Sequence, residues 1–380
     1  MNRGGDLVNR IPGIQLFWLV TSFDLGMALF VVLAPTIQTA HRDAWLSTVL
    51  ATAASAFVTY VVVRVNRRYP DLTLIDYAQV ILGKWLGRLV ALLTVLQWTM
   101  VNGVIIRQTI DVLITSNYHR TPMWVFAVTI TALAIYALSQ GALQSLSRVT
   151  LLLGPIVLVA LAGTIAVNIS SIQFERLLPV YASTGTTTIL AGAIPSFGFL
   201  GQAVLVGMFA PMMQHPQRMG LYAVGGVAVS GIVLTMGVVM VVGMFGSDLP
   251  ARMWNPFLDG IRYISIAELF EKLDAVIVLA WFMSTFVRIT VFLYVSTYGW
   301  ARLFHIKNWR PLLWVIGSFD MVLALWPHNI ISTIVTYVQV VHQPWAIPIL
   351  LVAAPLLLWI VSAIRDWLNM DRRLSRRGGR

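Results

Sequence analysis

Apolar residues in this chain come in runs of about twenty, separated by short polar clusters, and they do not alternate with polar ones. That pattern predicts membrane-spanning helices and excludes a membrane β-barrel, whose strands alternate. Ten spans are expected, near 14–38, 44–63, 86–113, 122–139, 149–169, 187–210, 219–245, 273–300, 311–327 and 345–364. The first is too long for a cleavable signal and carries Asp24 near its middle. Between spans, "RVNRRYPDLTLIDYAQVILGKW" (64–85) reads as an amphipathic helix behind a Tyr69-Pro70 break. The 246–272 segment ends in "IAELFEKLDA", which gathers Glu268, Glu271 and Asp274 on one helical face.

Composition agrees. Of 380 residues, 58% are hydrophobic and 11% charged, with a mean hydropathy of +0.80, which fits a single polytopic membrane domain. The absence of cysteine excludes disulfides and thiolate metal sites. The net charge of +11 could suggest nucleic acid, but its placement argues otherwise. Under the ten-span reading, eighteen of the 26 Lys and Arg fall on the side of the N-terminus, six on the other, and two within spans. That asymmetry predicts cytoplasmic termini, with the basic tail 365–380 against anionic lipid.

The first and sixth spans echo one another. "TSFDLGMALFVVLAPTIQ" and "PSFGFLGQAVLVGMFAPMMQ" both place Ser-Phe before a glycine-containing middle, then Ala-Pro, then Gln three residues on. Spans one and six of ten imply a 5+5 inverted repeat, with halves 1–175 and 187–364. In such architectures, interrupted helices at matching positions frame a midplane site. Gly198 and Gly201, between Pro195 and Gln202, predict a break in span six, whereas Gly207 predicts close helix packing. Exposed half-helix amides suit a carboxylate, so an α-amino acid is the expected ligand. The candidate contacts are Ser22, Phe23, Asp24, Gly26, Asn102, Phe197, Gly198, Phe199, Gly201, Gln202 and Trp281.

Charges inside spans are expensive and therefore candidates for function or pairing. Asp24 and Arg288 lie at similar depth and are expected to pair, placing a fixed cation beside span one. Arg107 and Asp111 should neutralise each other at i,i+4. Asp320 has no evident partner in the sequence. The six histidines fall at loops or span ends without metal-ligand spacing, and no phosphate loop, nucleophile elbow or acid pair is present. Neither an enzyme, a cofactor nor a metal is expected.

Several segments resemble the GerAB-type spore germination permeases, a branch of the amino acid–polyamine–organocation superfamily with the leucine-transporter fold. They are "YPDLTLIDY" (69–77), "ILGKWLG" (81–87), "RQTIDVLI" (107–114), "IYALSQGALQSLSR" (135–148), "LLPVYASTG" (177–185) and "FEKLDAVIVLAWFMSTFVRI" (270–289). The resemblance implies an all-α fold and a receptor B subunit in the inner membrane of bacterial endospores. It also implies a larger membrane A subunit and a lipoprotein C subunit as partners, and a nutrient such as an amino acid as trigger. Two positions depart from the family pattern: Gln202 stands where Glu is common, and Arg288 where Lys is common. A guanidinium does not deprotonate, so both departures favour a sensor over a proton-coupled amino acid transporter. That transporter is the competing expectation, and a water or ion conduit is a third.

Overall fold

Runs of this length bury their backbone polar groups only by winding into helices, and the chain does so almost throughout. A computed structural model describes residues 10–116, 120–181, 185–263, 273–326 and 333–377. The first apolar run forms α1 (Gly13–Val31) and, after the single residue Val32, α2 (Leu33–Ala40). α3 (Ala44–Arg68) follows. α4 (Leu74–Leu82) is the amphipathic helix expected after Tyr69-Pro70. It begins at a capping box of Thr73 and Asp76 and ends at Gly83, whose φ of +86° a side chain would resist.

α5 (Lys84–Ser116) precedes α6 (Met123–Val167), which contains both spans expected at 122–139 and 149–169. Gly141 and Ala142 leave helical geometry there and divide α6 in two, Ala142 with a φ of +52°. α7 (Gly185–Leu200) passes into a tighter 3₁₀ stretch, Gly201–Met208. α8 (Met219–Phe245), α9 (Pro256–Tyr263), α10 (Leu273–Leu303) and α11 (Leu312–Leu325) follow. The last run is a wide π-helical segment, Thr333–Ala353, leading into α12 (Ala354–Arg377). It contains Pro344 and Pro348, which have no N–H for an α-helical ladder.

Among the described residues, eight helical stretches are long and apolar enough to cross a membrane, and α11 is a shorter apolar helix of 14 residues. The surface agrees with a lipid setting: Leu152, Val159 and Leu221 are each about 70% exposed. The interior holds Asp24, Asn102, Arg288 and Asp320 at zero exposure. The exterior is thus apolar, and a few charged and polar side chains are enclosed within an otherwise apolar core.

The first and sixth runs lie side by side and antiparallel. At the start of α1, the Ile11 N–H donates to the Met212 carbonyl (2.7 Å), and Gln214 N–H donates back to Ile11 (3.0 Å). At the other end, the hydroxyls of Thr36 and Ser196 share a hydrogen bond of 3.0 Å. So the entrance to one run meets the exit of the other. Glu268, Glu271 and the Asp274 side chain lie outside the described residues.

Candidate functional site: a cation cage beneath a cavity

Ser284 and Arg288 stand one turn apart on α10, and both reach into α1. In an unbroken α-helix the Ser22 carbonyl would pair with the Gly26 N–H. Here both pair with Ser284: its hydroxyl donates to the Ser22 carbonyl and accepts from Gly26 N–H at 2.8 Å. Gly26 is required for this approach, since a Cβ there would lie 2.5 Å from Ser284 Cβ. The α1 winding nevertheless continues to Val31, so Ser22–Gly26 is a prised-open turn rather than a coil.

Arg288 completes the joint. Its Nη1 donates to the Phe23 carbonyl (2.8 Å) and to Asp24 Oδ1 (3.2 Å), forming the ion pair expected from the two charges. Its Nη2 donates to Gln202 Oε1 and to the Phe199 carbonyl (3.4 Å). The guanidinium carbon lies 4.2 Å from the Phe23 ring centroid and 3.6 Å from that of Phe199, with Phe292 at 5.5 Å. Residues of the first and sixth runs thus meet on one cation, Phe23 from the first Ser-Phe pair and Phe199, two residues past the second. In place of the expected break, the sixth run stays helical and tightens from α-helix to 3₁₀ at Gly201, with Gly198 still in the α-helical part.

Above this cage lies a cavity of about 260 Å³. Gly198, Phe199, Gln202 and Arg288 line it, against apolar walls from Phe30, Val101, Val104, Ile105 and Ile347. Gln38, Met253 and the half-exposed Trp254 form its rim. Arg288 faces the cavity while Asp24 stands behind it, so the pair presents its positive end to a guest. On the opposite side of the molecule the packing is closed by the Asp76–Arg302 ion pair (2.8 Å), Arg68–Asp366 (3.2 Å) and the Ile11 bridge.

Other expected contacts take different places. Phe23 stacks on Arg288 and on Phe292. Ser22 faces α6, its hydroxyl 3.0 Å from where a Cβ on Gly154 would stand. Trp281 is buried behind Phe30, with ring centroids 5.2 Å apart. Gly201 packs against Phe197 and Leu351. Asn102 turns to the opposite face of α5 and donates to Asp320 Oδ2 at 2.6 Å. Arg107 and Asp111 pair as expected (3.0 Å). Gly207 packs closely, a Cβ there falling 2.7 Å from Leu74 Cδ1.

His342 is a site residue that the sequence reading placed at a span end. It is buried and lines the cavity. The Tyr337 hydroxyl donates to Gln97 Oε1 (3.3 Å), Gln97 Nε2 donates to His342 Nδ1 (2.8 Å), and His342 Nε2 donates to the Gly198 carbonyl (3.2 Å). This relay requires the neutral imidazole with its proton on Nε2. The available signal was a polar trio, Gln97, His342 and Gln343, in otherwise apolar runs.

Paired antiparallel runs, buried charges and a cavity beside them are features of a transporter-type membrane fold. Solved structures agree. A Na+-coupled sialic acid symporter superposes with a TM-score of 0.64 at 13% identity, covering 84% of this chain and 75% of that one. MHP1, a nucleobase-cation-symport-1 family transporter, gives 0.66 at 11%, covering 86% and 76%. The fold is that of the leucine-transporter type.

Sequence comparison narrows the class. A family described as spore germination protein, the spore permeases, matches residues 10–333, and the chain belongs to it. Spore germination protein KB of Bacillus subtilis (strain 168) is 27% identical over 323 residues, covering 83% of this chain and 84% of the relative. Spore germination protein YndE of the same organism is 24% identical over 294 residues, covering 76% and 79%. The chain is a multi-pass membrane protein of a permease family and not an enzyme.

Proposed function

We propose that this chain is the B subunit of a spore germinant receptor, which binds a small nutrient in the cavity above Arg288. Its setting would be the inner spore membrane, with both termini cytoplasmic and with A and C subunits as partners. The observation that carries the reading is the polarity of the cavity. Its floor presents the Arg288 guanidinium and the Gln202 amide, and its walls are mainly aliphatic or aromatic, with Gln108, His342 and Gln343 as polar members. A carboxylate at the floor with an apolar side chain against Val101, Ile105 and Ile347 fits that distribution, which supports an apolar α-amino acid. The volume suits a metabolite rather than a larger molecule. Ligand binding would bias a two-state equilibrium that the partners read.

The transporter likeness of the fold supports a second reading, proton-coupled uptake of the same ligand. Proteoliposomes holding the purified protein separate the two, using a panel of labelled amino acids with and without a pH gradient. The receptor reading expects saturable retention of no more than one ligand per protein. Uptake that collapses when the gradient is dissipated would replace it with the transporter reading. Absence of retention and uptake alike would overturn both.

A further inference from the structure

The interface between α5 and α11 carries a buried acid that the cavity does not use. Asp320 sits in the middle of α11 with no exposed surface, and its described partner is the side-chain amide of Asn102, also fully buried. Asn102 Nδ2 donates to Asp320 Oδ2 at 2.6 Å. Asp320 Oδ1 and Asn102 Oδ1 are both buried and lack a hydrogen-bond partner among the described residues. The pair therefore has two acceptor oxygens in excess and is short of one hydrogen.

Neighbouring charges do not supply it. From α5, the Arg107 guanidinium binds Asp111 and donates to the Ala324 carbonyl (3.3 Å), one turn beyond Asp320. From α10, Arg288 is held by Asp24, Gln202 and two carbonyls. The charged residue of α6, Arg148, lies beyond the Gly141–Ala142 break, while Thr131 and Ile135 are the α6 side chains that meet α11 at Gly317. Among the described residues no three His, Cys, Asp or Glu side chains gather to hold a metal ion. A bare carboxylate surrounded by apolar packing costs several kcal/mol.

We infer that Asp320 and Asn102 form a proton-binding site, in which Asp320 is held as a neutral carboxylic acid at neutral pH. One proton on the Asp320 carboxyl group, shared toward Asn102 Oδ1, turns the pair into a closed acid–amide ring and satisfies both orphaned oxygens. No bond other than O–H forms or breaks, and the proton comes from water. The site bears on the cavity through α5, whose Val101, Val104 and Ile105 form a cavity wall while Asn102 faces α11. Loss of the proton would place an anion between two closely packed helices. Gly103 marks how close they are, since a Cβ there would stand 2.6 Å from Leu323 Cβ.

The test uses the full-length protein in lipid, without ligand, so it does not depend on the receptor reading. Infrared difference spectra of wild type against Asp320→Asn at neutral pH should show one carboxylic-acid C=O band present only in wild type. Asn102→Ala should keep that band and shift it to higher frequency, because the acid loses its amide partner. This second variant retains Asp320 and serves if Asp320→Asn misfolds. Loss of a carboxylate band in Asp320→Asn, with no acid band lost, would overturn the inference. So would an acid band in the wild type that appears only when sodium and potassium are removed, which would make the site a metal-cation site.

Discussion

Two buried charges, Arg288 and Asp320, are handled in opposite ways. Arg288 is surrounded: one carboxylate, one amide, two backbone carbonyls and the faces of Phe23 and Phe199 all turn toward it. Among the described residues, Asp320 has a single amide donor and an unpaired oxygen. A guanidinium cannot shed its charge, so the protein must bring acceptors to it, and α1 and the sixth run turn the Phe23 and Phe199 carbonyls toward it. A carboxyl group can take up a proton, so its interface needs few partners. One site is built around a permanent charge and the other around a removable one.

Substitutions separate the two designs, and the largest effect should come from the cage. Arg288→Ala leaves Asp24 buried beside two orphaned carbonyls and should cost about 3–5 kcal/mol. A thermal shift assay in detergent would read it as a large fall in Tm or as loss of folded protein; an unchanged Tm would mean the cage is not structural. On the other side, Gly103→Leu overpacks the contact with Leu323 and should cost about 1–3 kcal/mol by the same assay. Ser284→Ala removes the hydroxyl wedged between Ser22 and Gly26, at about 1 kcal/mol, because the two groups can then pair with each other. Slower amide hydrogen exchange at Gly26 would report that closure. The smallest change belongs to Asp320→Asn: replacing a neutral acid with a neutral amide of similar shape should alter stability by about 1 kcal/mol or less. A large stabilisation would show instead that an ionised carboxylate had been removed.

The two sites also differ in how well the sequence announced them. Asp24 and Arg288 were readable as a pair because opposite charges at equal depth have few other ways to be buried. The glycines and the Ser-Phe echo pointed to the same level of the membrane. What the echo did not reveal is that Phe23 and Phe199 stack on the cation, Phe199 also forming part of the cavity wall. Ring placement depends on how three helices cross, which a linear pattern does not encode. The Asn102–Asp320 bond joins residues 218 positions apart, and an amide beside an acid leaves no charge pattern to find. His342 was obscured for a local reason. The tenth span is expected from 345, whereas the helical run begins at Thr333 as a π-helical segment and takes in His342. Among elements, the long apolar runs were plain from hydropathy, while the step at Val32 and the turn at Ala142 have no residue-type signature.

The short backbone bridge between Ile11 and the Met212–Gln214 segment bears on motion. It fastens the beginning of α1 to the end of the sixth run by main-chain bonds on the closed side, while at the other ends Thr36 and Ser196 share a hydrogen bond and Gly192 packs against Ala40, where a Cβ would fall 2.5 Å from that of Ala40. The two ends are thus joined by different means, backbone pairing on the closed side and side-chain packing at the rim. Any rearrangement that opened the closed side would first have to unzip that bridge, at a cost of two main-chain hydrogen bonds.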